Sequence, residues 1–329
     1  MARPAILSNG QLMVGLNEHG LVHDFYYPYV GLDNLTTSRS VHHKIGLWVD
    51  GDFTWVDDGS WETNVSLEDD ALIANTSMLN KNIQIKLSTV DFVDPANNAF
   101  IRRIKVSNLS GAKRDVRIFM HQVFEISRGG RGDTAMFVPE ENYILDYKGR
   151  CALLACGVES TSGEVFDQYC VGNYGIEGKQ GTYVDAEDGE LAGNAIEHGG
   201  VDSVFRFAFE IDPNASESVD YWIVAAASQY ECEEIHHIYR DTGIDVVEKS
   251  TRQWWHKWIS TGANRLHSVK PEVLSQVKKS LMIIKAHTDK RGGVLASGDS
   301  SIFNYGRDYY CYCWPRDGAY AMWPLIRLG

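Results

Sequence analysis

The sequence predicts an antiparallel β-sandwich followed by helices. From about residue 5 to about residue 230, apolar and polar residues alternate with period two, the mark of half-buried strands. Polar and Gly-rich stretches such as Gly129-Gly130-Arg-Gly132 and Gly199-Gly200 punctuate that alternation, as the turns of a many-stranded sandwich require. Past Ser228 the apolar spacing changes to that of helical faces.

The strands are justified in turn by their parity. Ile83, Ile85 and Leu87 alternate, as do Phe100, Ile104 and Val106, which the polar stretch Ser107–Asp115 separates from Val116, Ile118 and Met120. Phe205, Phe207, Phe209 and Ile211 share one parity. After a polar loop, Val219, Tyr221, Ile223 and Ala225 share another, the pattern of a hairpin. Glu231–Ile259 carries Ile235, Ile238, Val246, Val247, Trp254, Trp255 and Trp258 at helical spacing, with a break at Thr242-Gly243; the tryptophans are expected to pack one helix face against the sandwich or the helices that follow. A further helix is expected from Pro271, tolerated in a first turn, to about His287, with Val273, Val277, Leu281 and Ile284 along one face. The apolar run Ala319–Leu328 starts another, and its end at Gly329 in mid-element suggests truncation.

Composition narrows the function classes. The 329 residues are 44% hydrophobic, enough for a sizeable core, and the formal charge of −13 without a basic cluster excludes a footprint for nucleic acid or an anionic membrane. A neutral or cationic partner is expected. No apolar run has the length of a membrane span, and Met1–Gly15 lacks the charged and apolar regions of a secretory leader, so the expected location is cytoplasmic. The 6 cysteines suit reduced thiols. Cys311/Cys313, His236/His237 and His42/His43 lack the spacing of a zinc site, so no metal is expected, nor any cofactor; the histidines are expected on helix surfaces. The acidic pairs Asp57-Asp58, Asp69-Asp70 and Glu187-Asp188 read as solvated turn residues.

The chemistry-bearing stretch is Asn304–Asp317, where Tyr305, Tyr309, Tyr310, Tyr312 and Trp314 surround Arg307, Arg316, Asp308 and Asp317. Aromatic faces stack on pyranose rings, and ionised Arg and Asp make directional hydrogen bonds to hydroxyls. The same residues also suit a buried helix start, with Asp317 as cap, Arg316 paired to it and the aromatics as core.

Trp314-Pro-Arg-Asp-Gly318, preceded by Tyr310 and followed by a helix, resembles the first substrate-binding segment of glycoside hydrolase family 15, the glucoamylases, glucodextranases and some microbial trehalases. Pro271–His287 with Gly293-Val-Leu-Ala-Ser297 resembles the first barrel helix of that family, and Asn9–Gly15 with Asp24-Phe-Tyr-Tyr-Pro28 resembles its prokaryotic sandwich domain. The resemblance implies a β-sandwich over 1–228, a helical linker over 229–268 and the opening of an (α/α)6 barrel over 269–329. It implies an α-glucan or oligosaccharide substrate, with Tyr310, Trp314, Arg316 and Asp317 holding the non-reducing-end glucose. Hydrolysis would proceed with inversion, and the catalytic acid and base are expected downstream of Gly329, so no residue here is catalytic. A trehalase, or a non-catalytic carbohydrate-binding or structural sandwich, are the alternatives.

Overall fold

The computed structural model describes residues 3–36, 43–128, 131–267, 269–299 and 312–328. Four short strands open the chain as a small antiparallel sheet: β1 (Ala5–Ser8), β2 (Met13–Leu16), β3 (Val22–Tyr29) and β4 (Leu32–Asn34). There follow β5 (Ile45–Val49), β6 (Asp52–Trp55), β7 (Glu62–Leu67), β8 (Ala74–Asn80), β9 (Ile85–Val93), β10 (Ala99–Asn108) and β11 (Arg114–Val123). The β part is completed by β12 (Asp133–Val138), β13 (Tyr143–Lys148), β14 (Cys151–Glu159), β15 (Gln168–Asn173), β16 (Ile196–Gly199), β17 (Val201–Ile211) and β18 (Ser216–Ala226). These build a nine-stranded sheet, β16-β12-β13-β14-β18-β10-β9-β8-β7, facing a five-stranded sheet, β15-β17-β11-β5-β6.

Period two decides which face is buried between them. Val116, Ile118 and Met120 on β11, with Phe205, Phe207 and Phe209 on β17, point inward to meet Ile104, Val106, Val219 and Tyr221; the Phe205 and Tyr221 ring centroids lie 5.8 Å apart. The edge strand β7, Glu-Thr-Asn-Val-Ser-Leu, has no fully buried residue, which suits a sheet edge.

The expected hairpins are not formed. β10 and β11, and likewise β17 and β18, run antiparallel in sequence but belong to opposite sheets, with β10 pairing β9 and β18 while β11 pairs β5 and β17. The reason is burial on both sides. These strands carry apolar residues on the second face too, such as Ile101, Phe119 and Trp222, and each finds a layer to cover it. Asn108, wholly buried, ties the two crossing loops together by donating to the carbonyls of Ala112, Ile211 and Asp212 at 2.7, 3.0 and 3.2 Å.

Helices cover the outer face of the nine-stranded sheet. In α1 (Gln229–Thr242) the Ser228 hydroxyl caps the N-terminus by accepting from the Glu231 amide at 3.3 Å. Gly243, at φ 80, breaks the chain into α2 (Ile244–Ser260), whose Trp255 is buried in the main core while Trp254 is 39% exposed, so one face of the cluster packs as expected. A short helix not foreseen, α3 (Ala263–Leu266), precedes α4 (Pro271–Ala286) and α5 (Pro315–Leu328). Leu281 and Val277 of α4 pack with Ile259 and Leu325, and Met282 and Ala286 join the main core.

Two expectations about polar residues change. The turn after β7 is not merely solvated: Asp69 pairs with Lys279 at 2.9 Å and Asp70 with His256 at 3.2 Å, fastening α4 and α2 to the sandwich. Asp57 pairs with Lys44 at 2.6 Å, and Glu187 accepts from the Trp55 indole at 3.3 Å. His236 is not on a helix surface but 1% exposed between Trp222 and Tyr143, whereas His237 is exposed; His43 is buried. His42 lies outside the described residues. No described helix is long and apolar enough to cross a membrane.

Candidate functional site

The segment singled out by sequence emerges from α4 through a strap, residues 287–299. Asp289 closes its first turn: its Oδ1 accepts from the Arg291 amide at 2.8 Å and the Arg291 Nε at 3.0 Å, and its amide donates to the Gly293 carbonyl at 2.7 Å. Burial alone would raise this carboxyl, but the Arg291 amide, the Arg291 guanidinium and the Val30 amide outweigh it and hold the group below the usual aspartate range.

The strap lies on the small N-terminal sheet. Val30, after β3, donates its amide to Asp289 Oδ2 at 3.2 Å, and the Lys290 amide donates to the Gly10 carbonyl at 2.7 Å. Gly10 has φ +87, and a Cβ there would meet Lys290 Cγ at 3.2 Å, so both backbone and space call for glycine. Leu295 packs with Met13, Tyr26 and Val30. At the far end Asp299 accepts from the Arg3 amide at 3.2 Å, and the Arg3 Nε lies 2.7 Å from Asp24 Oδ2; the three side chains are nearly sealed from solvent.

From that strap the chain returns at Tyr312, whose carbonyl accepts from the Ala296 amide at 3.2 Å, with Leu295 and Cys313 forming a bridge. Trp314 follows at once, Pro315 starts α5, and Arg316 and Asp317 lie in its first turn. Thus Trp314, Arg316 and Asp317 share one turn, while Tyr310 lies outside the described residues, as do Tyr305, Arg307, Asp308, Tyr309 and Cys311. The turn is open: Trp314 is 39% exposed, and the Arg316 and Asp317 side chains are 82% and 51% exposed and 3.7 Å apart. Among the described residues, Arg316 lies beside Asp317 as in a structural helix start, but the turn is not buried. Asp317 is inside the helix rather than at its cap, and Tyr312, Tyr320 and Trp323 are also exposed. An arginine and an aspartate so placed can offer several donors and an anionic acceptor beside an aromatic face.

Sequence reasoning missed the anchoring residues. Arg3 and Asp299 are 296 positions apart, and Asp289 sits in what reads as a plain polar turn; no periodicity marks such pairs. Other polar groups offer less. His121 Nε2 lies 2.9 Å from Asp202 Oδ2, but both are sealed beneath the Tyr183 ring and the Thr182–Asp188 turn. Burial pushes the Cys156 and Cys232 thiols up to about 12, so they stay protonated and inert, and the described residues contain no cluster suited to a metal.

The fold is thus an antiparallel sandwich, a helical connection and further helices, the last of which opens with the exposed Trp314–Asp317 turn. Among solved structures the chain is similar to a bacterial glucoamylase complexed with acarbose, with a TM-score of 0.74 and 15% identity over 96% of this chain and 46% of that one. It is also similar to a protein described as a kojibiose phosphorylase from the human microbiome, with a TM-score of 0.52 and 10% identity over 90% of this chain and 41% of that one. The likeness is one of fold, and the chain spans less than half the length of these neighbours. No protein-family model and no curated protein matches it.

Proposed function

We propose that this chain is the sandwich and leading helical part of an inverting glycoside hydrolase of the glucoamylase kind, acting on α-linked glucose oligomers at their non-reducing ends. In this reading 1–228 is the sandwich, 229–268 the helical linker and 269–329 the opening of the catalytic barrel. Trp314, Arg316 and Asp317, with Tyr310, hold the terminal glucose. The observation that carries the reading is the open Trp314–Asp317 turn on a fold that matches a glucoamylase over 96% of its residues.

The residues have separable tasks. The indole of Trp314 covers an apolar sugar face, while the Arg316 guanidinium donates to, and the Asp317 carboxylate accepts from, adjacent hydroxyls. Inversion further needs one carboxylic acid to protonate the leaving oxygen and one carboxylate to activate water on the opposite face. We assign neither to a residue of this chain, so the 329 residues by themselves are inactive. Two measurements test this. The reading frame past codon 329 should continue into helices bearing two such carboxylates, and a stop codon there would instead favour a non-catalytic module. Glucose released from maltotriose by the chain alone would overturn the placement of the acid and base.

A further inference from the structure

We infer that the small N-terminal sheet is a template for the sugar-holding turn, and that Asp289 and Asp299 are positioning residues for Trp314, Arg316 and Asp317. The inference rests on the proposed function for its sugar, but not for its mechanics.

The connection is continuous. Trp314 and the first turn of α5 follow directly on the bridge between Leu295 and Cys313, so the strap places the start of that helix, while its far end rests on α4 through Leu325. The strap in turn is fastened to the small sheet at four points: Asp289 holds the Val30 amide, the Lys290 amide donates to the Gly10 carbonyl, Leu295 packs on Met13 and Tyr26, and Asp299 meets Arg3. At Gly298 the two layers are so close that a Cβ would come within 2.1 Å of the Met13 Cε. Hydrogen-bonded contacts of this kind fix direction as well as distance, which apolar contacts alone do not.

Asp289→Asn is the discriminating substitution. The amide keeps the size of the carboxyl, but whichever way it turns its NH2 faces an N–H, that of Val30 or those of Arg291, donor against donor, so the strap loses either its hold on the β3–β4 turn or the bond that closes its own first turn. Asp299→Asn does the same toward the Arg3 amide.

Amide exchange in the 329-residue chain reads the mechanics. In Asp289→Asn the Ala296 and Gly318 amides, which donate to Tyr312 and Trp314 carbonyls, should exchange on the order of tenfold faster while β10 amides keep their protection. Unchanged exchange at Ala296 and Gly318 overturns the inference. Should Asp289→Asn also lose protection in β10, Asp299→Asn is read by the same criterion. In any longer polypeptide carrying this chain that hydrolyses maltotriose, either variant should raise the inhibition constant of free glucose about tenfold at an unchanged melting temperature, since small misplacements of binding groups weaken sugar binding steeply. An unaltered constant removes the role toward sugar, because a purely structural defect lowers the active fraction and not that constant. If the proposed function is what fails, no hydrolysis is found and Asp317→Asn is silent, while the exchange result stands.

Discussion

The indole N–H of Trp222 donates to Nδ1 of His236 at 3.3 Å, across the seam between β18 and α1. That bond fixes the neutral tautomer with the proton on Nε2, and the residue borders a cleft of about 630 Å³ with Glu141, His237 and Arg240. Burial, then the neighbouring His237 and Arg240, bring His236 down to about 4, against the smaller opposing pull of Glu141 and Glu233. The unfolded chain therefore takes up a proton before the folded one does. Stability from this group is complete above about pH 6.5 and is lost as pH falls toward 4. His236→Gln, which retains an acceptor for Trp222, should flatten that loss by roughly 2–3 kcal/mol between pH 7 and 4.5. Urea titrations of both proteins at the two pH values check it, and parallel losses would show that His236 is not the group responsible.

Inside the sandwich, Arg102 is 1% exposed, and its Nε meets Asp91 Oδ1 at 2.6 Å while Nη2 donates to the Gly20 carbonyl and to Asp91 Oδ2. Removing Arg102 leaves the buried Asp91 carboxyl without its cation, to be carried at a desolvation or protonation cost. Arg102→Met should therefore cost about 3–5 kcal/mol of stability, whereas Arg102→Met with Asp91→Leu should recover most of it, because a buried pair repays little more than its own desolvation. Denaturation of the double variant and of both single variants, Asp91→Leu included, measures the coupling, and strictly additive losses would contradict it.

The alternation of β10, β11, β17 and β18 was legible in sequence, as were the break at Gly243 and the start of α4 at Pro271, since period and turn chemistry are local. Their partners were not. A polar loop between two alternating strands looks alike whether they pair or cross to opposite sheets, and only burial on both faces separates the cases. The Trp314–Asp317 turn was likewise visible as a local motif, while its support by Arg3, Asp24 and Asp299 depends on contacts between distant residues. Asn108 illustrates the same limit: nothing in its neighbourhood says that it reaches both crossing loops. Asn108→Ala would leave buried carbonyls without donors, and a loss of about 2–4 kcal/mol is expected from chemical denaturation. A loss below about 0.5 kcal/mol would mean that the crossings hold without it.

Asp317 separates a sugar-binding role from a structural one. It lies in the first turn of α5, where a carboxylate gains from the helix dipole, but its side chain is 51% exposed and the Arg316 guanidinium is 3.7 Å away. Replacing it with asparagine keeps the shape and loses a solvent-screened charge, so the stability change should be no more than about 0.5–1 kcal/mol. Toward a bound sugar the consequence differs, because a neutral amide replaces an anionic acceptor at a hydroxyl held away from water. Loss of that charge-assisted bond should cost on the order of 1–3 kcal/mol in the transition state, or roughly a tenfold to hundredfold fall in kcat/KM on maltotriose in a polypeptide long enough to be active. Asn also tolerates the helix start, so a role confined to the helix leaves both quantities nearly unchanged. Near-normal kcat/KM in folded Asp317→Asn would remove this carboxylate from substrate binding and leave Arg316 and Trp314 to be tested without it.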